Sequence, residues 1–178
     1  RTVSSEEKYI RRRQRQAKCL SLLFVIMRIL HIKRDKVVFA AFEGDGGFCC
    51  NPRYIAEELH KRNNRIKMVW LTHDINRVFP PYIKPIKDTK ISTAYHLSTA
   101  KVWVDNYRKP LGTLKRREQL YIQTWHAKLG FKPTCLDRGA SFTKIAYLVS
   151  KHDSDMVDYW LSNGRWYDRT LKRGSLYK

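Results

Sequence analysis

Acidic residues are scarce in this 178-residue chain: 16 Asp plus Glu stand against 36 Lys plus Arg, a formal net charge of +20. That imbalance concerns partners, not fold, and admits nucleic acid, an anionic membrane surface or a phosphorylated substrate. Cysteine is also sparse. Cys19, Cys49, Cys50 and Cys135 form no CxxC pair and have no regular spacing. A disulfide scaffold or structural zinc site is therefore not expected, and a reducing compartment is. The eight glycines never complete GxGxxG or GxxxxGK, so neither a dinucleotide fingerprint nor a phosphate-cradling loop is supported. GxSxG, HExxH and paired-carboxylate motifs are missing too. No internal repeat or low-complexity segment occurs, and no apolar run reaches the ~20 residues that a membrane-spanning helix needs.

What is present is enough apolar material for a core. Hydrophobic residues make up 43% and aromatics 12%, which excludes a disordered polycation. The length fits one domain, or one domain and a small part. The first residue is Arg1 instead of Met, and the chain reads as a segment of a longer protein.

The charge is uneven. Lys8, Arg11, Arg12, Arg13, Arg15 and Lys18 crowd one stretch without an acid, the apolar run Cys19–Leu30 follows, and Lys33, Arg34 and Lys36 come next. Residues 1–35 thus read as a basic, amphipathic helix. It either packs on the domain it precedes, lies on a membrane interface, or belongs to a signal peptide that lacks a small-residue cleavage site.

From residue 36 the pattern alternates between strand and helix. KVVFAAF (Lys36–Phe42), IKMVWLT (Ile66–Thr72), YIKPI (Tyr82–Ile86), KVWVDN (Lys101–Asn106), LYIQTWH (Leu120–His126) and YWLSN (Tyr159–Asn163) read as strands. Between them, Asn51-Pro52 reads as N-cap and first position of a helix that turns Ile55, Leu59 and Tyr54 inward. Thr89–Ala100 reads as a helix with Ile91, Ala94, Tyr95 and Leu97 inward. Phe142–Val149 and the RWYDRTLKR segment read as two more. Strand and helix in this alternation predict an α/β fold, a Rossmann-like parallel sheet with helices on both faces, over residues 36–178.

Ligands in such sheets bind at the carboxyl ends of the strands. The places so marked are Glu43–Gly47, Thr72–Asp74, Asp105–Tyr107 and Trp125–Lys132. In the first, the flexible turn with Asp45 and Gly46 lets backbone approach a ligand, and the helix that Asn51 opens offers amides to an anion. Vicinal Cys49-Cys50 reads as packing. His31, His60, His73, His96 and His152 have no partner motif. His126 differs, because it stands at the end of a central strand after Gln123-Thr124-Trp125 and before Lys128 and Lys132. A histidine there can act as general base near neutral pH, and the lysines can hold phosphate or developing negative charge.

YIQTWHAKLGFK (Tyr121–Lys132) resembles the Q-x-W-H-[GA]…K signature of the CDP-glycerol:poly(glycerophosphate) glycerophosphotransferase family, which makes teichoic acids and related polymers. VVFAAFEGDGGFCCNPRYIAEEL, AKVWVDN and YWLSNGRW are similar to the family's other segments in the same order, over roughly Lys36 to Lys178. The resemblance implies the N-terminal, acceptor-side half of a GT-B-type transferase, with the donor site lying beyond Lys178. It implies His126 as catalytic base, deprotonating the acceptor's terminal hydroxyl for attack on the β-phosphate of CDP-glycerol, with CMP released. Candidate substrate-binding residues are Asp45, Gly46, Asn51, Trp125, Lys128 and Lys132. Implied partners are CDP-glycerol or a similar CDP-linked donor, a polyprenyl-linked polymer acceptor and an anionic membrane surface at the cytoplasmic face. No metal, cofactor or nucleic acid is expected. The alternatives are a basic nucleic-acid-binding module and a nucleotide-sugar glycosyltransferase of the same fold.

Overall fold

The apolar runs that alternate with helical segments become one sheet. The computed structural model describes residues 5–126, 135–162, 164–174 and 176. The strands are β1 (Lys33–Ala40), β2 (Lys67–Thr72), β3 (Ile83–Lys87), β4 (Ala100–Asp105), β5 (Leu120–Gln123) and β6 (Tyr159–Trp160). The helices are α1 (Ser5–Met27), α2 (Cys50–Arg62), α3 (Lys90–Thr99), α4 (Lys144–Met156) and α5 (Arg165–Gly174). Every strand pair is parallel. The order is β3-β2-β1-β4-β5-β6, so the direction of winding reverses between β1 and β4.

Helices cover both faces because the central strands are apolar on both. On one face, Leu20 and Phe24 of α1 and Ala94 and Leu97 of α3 pack over Val38, Ala40, Val69, Leu71 and Trp103. On the other, Ala56 of α2, flanked by Ile55 and Leu59, packs over Val37, Phe39, Met68 and Trp70. Burial of Leu20 and Phe24 contributes roughly 2–3 kcal/mol each, which makes α1 a layer of the domain. Two polar devices fix its far end. Arg116 donates to the carbonyls of Met27 and Leu30, both at 2.9 Å, satisfying acceptors that a helix end leaves open. Ser21 Oγ donates to Gly112 O at 3.1 Å. Gly112 has φ +94°, and a Cβ there would fall 2.2 Å from the Ala17 carbonyl oxygen.

Several sequence expectations need correction. The helix after the glycine-rich turn begins at Cys50 with Cys49 as N-cap, so Asn51 is inside the first turn and caps nothing. Tyr54 and Ile91 are exposed instead of inward. The turn expected to be flexible is ordered: Phe42–Gly44 form a 3-10 turn in which Phe42 and Glu43 take left-handed φ values of 49° and 55°. The fifth strand stops at Gln123, three residues short of His126. The sixth is only two residues long. α4 starts later and runs to Met156, capped by Thr143, whose side chain accepts from the Ala146 amide.

Candidate active site

The reversal of strand order opens a crevice outside the carboxyl ends of β1 and β4, the position where open α/β sheets bind ligands. Two strand ends meet there. The Asn106 side chain, fully buried, accepts from the Phe42 amide at 2.8 Å and so ties the turn after β1 to the end of β4. Thr124 extends the pairing of β5 by donating its amide to Asp105 O at 2.8 Å.

Beyond Thr124 the chain turns sharply. Trp125 adopts φ 54°, a left-handed conformation that costs a non-glycine residue about 1–3 kcal/mol. Hydrogen bonds hold it there. The Trp125 amide donates to Gln123 Oε1 at 2.9 Å. Gln123 Nε2 in turn donates to Tyr107 O and to the Tyr121 hydroxyl, both at 2.9 Å. The Tyr121 hydroxyl donates to Asp153 Oδ1 at 3.0 Å, and Asp153 also accepts the Lys109 amide. The glutamine of the Q-x-W-H segment is thus the peg on which the turn hangs, anchored through Tyr121 to α4.

That turn delivers His126 to the crevice. Its Nδ1 lies 2.7 Å from the Asn106 carbonyl oxygen. A carbonyl can only accept, so Nδ1 carries a proton, and in the neutral ring the lone pair is on Nε2. Aromatic rings frame the imidazole: Trp125 at 4.5 Å, Tyr107 at 5.3 Å and nearly parallel, and Phe42 at 5.4 Å. The arrangement fixes tautomer and ring plane while leaving the residue exposed. Chemically it is a positioned base.

The other sequence candidates have mixed fates. Trp125 is buried, with Arg108 lying over its ring at 4.6 Å, and forms the wall behind His126. Asn51 donates toward the carbonyls of Thr124 and Trp125 at 3.3 and 3.4 Å, linking α2 to the same turn. Asp45 points elsewhere: its carboxylate bonds His73 Nδ1 at 2.8 Å. Gly46 is needed for packing, since a Cβ would sit 2.7 Å from the Phe42 ring. Lys128 and Lys132 lie outside the described residues.

Much of the basic loop after β4 is committed within the protein. Lys109 pairs with buried Asp105 at 2.5 Å, Lys115 with Asp158 at 2.8 Å, and Arg116 holds α1. Asn106, whose carbonyl orients His126, falls within the strand end Asp105–Tyr107 that position marks as a ligand place, but its role is carried by a backbone atom that no composition reveals. Burial, and next the charge of Asp105, raise the Glu43 carboxyl above its ordinary range. Burial and Cys50 push the Cys49 thiol up to about 11, which leaves it an inert packing group.

Fold and site together define an α/β domain that presents a base at a strand-order switch. The chain belongs to the CDP-Glycerol:Poly(glycerophosphate) glycerophosphotransferase family, which it matches over residues 22–177. It is 30% identical over 135 residues to the teichoic acid poly(glycerol phosphate) polymerase of Bacillus subtilis (strain 168), an alignment covering 71% of this chain and 17% of that protein. It is 29% identical over 120 residues to the teichoic acid ribitol-phosphate polymerase TarK of Staphylococcus aureus (strain NCTC 8325 / PS 47), covering 65% and 22%. Among solved structures, a variant of the wall teichoic acid polymerase TagF soaked with CDPG superposes with a TM-score of 0.77 at 20% identity, covering 99% of this chain and 47% of that one. Another TagF variant gives 0.73 at 23% identity, covering 92% and 41%. The chain therefore spans less than half the length of these relatives.

Proposed function

We propose that this domain is the acceptor side of a polyol-phosphate transferase, with His126 as general base. The acceptor's terminal hydroxyl gives its proton to His126 Nε2, and its oxygen forms a bond to the β-phosphorus of CDP-glycerol. The bond from that phosphorus to the bridging oxygen breaks, and CMP leaves with the oxygen. One observation supports this most: the 2.7 Å contact of His126 Nδ1 with Asn106 O turns Nε2 away from the protein's own acceptor, as a base at the switch point requires. Glycerol phosphate is the favoured unit because the Bacillus relative is a poly(glycerol phosphate) polymerase. The donor is expected to be bound by chain outside these 178 residues, and the acceptor to be a polyprenyl-linked polymer.

The test is CMP release from CDP-glycerol by the full-length protein. His126→Ala is expected to lower the rate by about 10²–10⁴-fold, the range for loss of a general base, with an unchanged circular dichroism spectrum. Near-normal turnover in that variant would remove His126 from its role.

We further propose that the domain rests on the cytoplasmic face of the membrane. No helix among the described residues is long and apolar enough to cross one. The outer side of α1 nevertheless exposes Leu22, Val25 and Ile26, with Ile29 just beyond, at the i, i+3, i+4, i+7 spacing of one helical stripe. Beside it lies a basic cleft formed in part by Arg28, Arg34, Lys101 and Arg117, suited to anionic headgroups.

A further inference from the structure

A second concavity lies on the α1 side of the crevice. Its volume is about 360 Å³, at the low end for ligand cavities, and it is floored by Ala40, Leu71 and Asp105 at the ends of β1, β2 and β4. Four elements send charged groups into its lining: Arg13 from α1, Glu43 from the turn after β1, Lys90 from the first turn of α3, and Arg108 from the loop after β4. Lys109 lines it too, but its ammonium is bound to Asp105, and Asp88 accepts from the Thr93 hydroxyl. Among the described residues neither Arg13 nor Lys90 forms an ion pair. The start of α3, ten residues long and capped by Thr89, adds its positive dipole end beside Lys90.

Three lining residues are direct neighbours of the groups that frame the base. Glu43 follows Phe42, whose ring packs on His126; Asp105 precedes Asn106, which holds His126; Arg108 covers Trp125, which stacks on His126. Cations alone would fit any phosphate. A carboxylate set among them would repel inorganic phosphate but accept hydrogen bonds from hydroxyls, and a ligand that satisfies both carries a phosphate and a free hydroxyl on a short carbon chain.

Resting on the transferase reading, we propose that this cavity seats the terminal polyol phosphate unit of the acceptor, its phosphate held by Arg13 and Lys90 and a hydroxyl by Glu43. The reacting hydroxyl is thereby carried to His126.

Two measurements on the full-length protein decide it. In calorimetric titrations, sn-glycerol 3-phosphate is expected to bind more tightly than inorganic phosphate. The double variant Arg13→Gln/Lys90→Gln should weaken both by about tenfold or more. Glu43→Gln should erase the preference while leaving phosphate binding equal or stronger. Unchanged affinity in the double variant, or no preference in the parent protein, overturns the proposal. In turnover, the double variant should raise KM for the acceptor and leave KM for CDP-glycerol unaltered; a rise for CDP-glycerol alone would assign the cavity to the donor and refute the proposal. If the parent protein releases no CMP, the transferase reading fails, and the titrations still decide the cavity. Lys90 is exposed and Arg13 half-buried, and circular dichroism verifies folding.

Discussion

Gln123 has no chemistry to offer a substrate, yet the site depends on it. Its amide is fully buried and satisfied at both ends, accepting from Trp125 N and donating to Tyr107 O and the Tyr121 hydroxyl. Gln123→Leu keeps the volume and removes those bonds, stranding the buried Trp125 amide, while Tyr107 O still has the Tyr121 hydroxyl at 3.3 Å. A stranded buried group costs about 1–3 kcal/mol, and urea denaturation should show a loss in that range. CMP release should fall with it, because Trp125 then loses the bond to its amide and keeps only the Asn51 contact on its carbonyl to hold φ 54°. Stability within 0.5 kcal/mol of the parent would show that the turn is held by other means. At this scale the sequence was partly legible. His126 and the Gln123-Thr124-Trp125 approach stood out by position and chemistry. Asn106 was marked by position alone, since it works through a main-chain carbonyl and through a side-chain oxygen that accepts from the Phe42 amide, 64 positions away.

The elements were legible wherever burial was strong. KVVFAAF and IKMVWLT announced β1 and β2 because a strand covered on both faces needs an unbroken apolar run. Where polar side chains are buried, that signal fails. The second half of α4 reads as polar, but Ser150, Asp153 and Ser154 are buried, and Asp153 serves the Lys109 amide and Tyr121. The fifth strand looked longer than it is because Thr124 and Trp125 are buried after the backbone has already turned. α1 shows the same ambiguity: its apolar run serves an inward row, Leu20 and Phe24, and an outward one, Leu22, Val25 and Ile26. Gly112→Ala tests how closely α1 is held. With 2.2 Å from a new Cβ to Ala17 O and a left-handed φ, the loop or the helix must shift. The expected cost is about 2–4 kcal/mol, seen as a lower urea midpoint. A neutral effect would mean that α1 is loosely docked.

For the molecule as a whole, the +20 charge has several uses. Some cations are structural: buried Lys36 donates to Thr99 Oγ1 at 2.7 Å, and Lys109, Lys115 and Arg116 serve internal partners. Others gather at two opposite ends of the sheet, in the cavity near His126 and in the cleft beside the outer stripe of α1. Vesicle flotation separates the membrane role from the fold. Leu22→Glu/Ile26→Glu should abolish binding to phosphatidylglycerol vesicles with little loss of stability, since both side chains are at least half exposed. Undiminished flotation would discard the stripe as the contact.

The strand order also has a consequence for synthesis. β1 sits in the middle of the sheet, but its two neighbours reach it at different times: β2 begins at Lys67 and β4 only at Ala100. A nascent chain can therefore assemble β1, β2 and β3 while one long edge of β1, the apolar Val37–Ala40, still lacks its partner. Until β4 emerges that edge can pair with any extended strand nearby, including its copy on a neighbouring ribosome. The positioned base forms later than the first three strands, because the carbonyl that holds His126 arrives with β4 and the histidine itself 20 residues later.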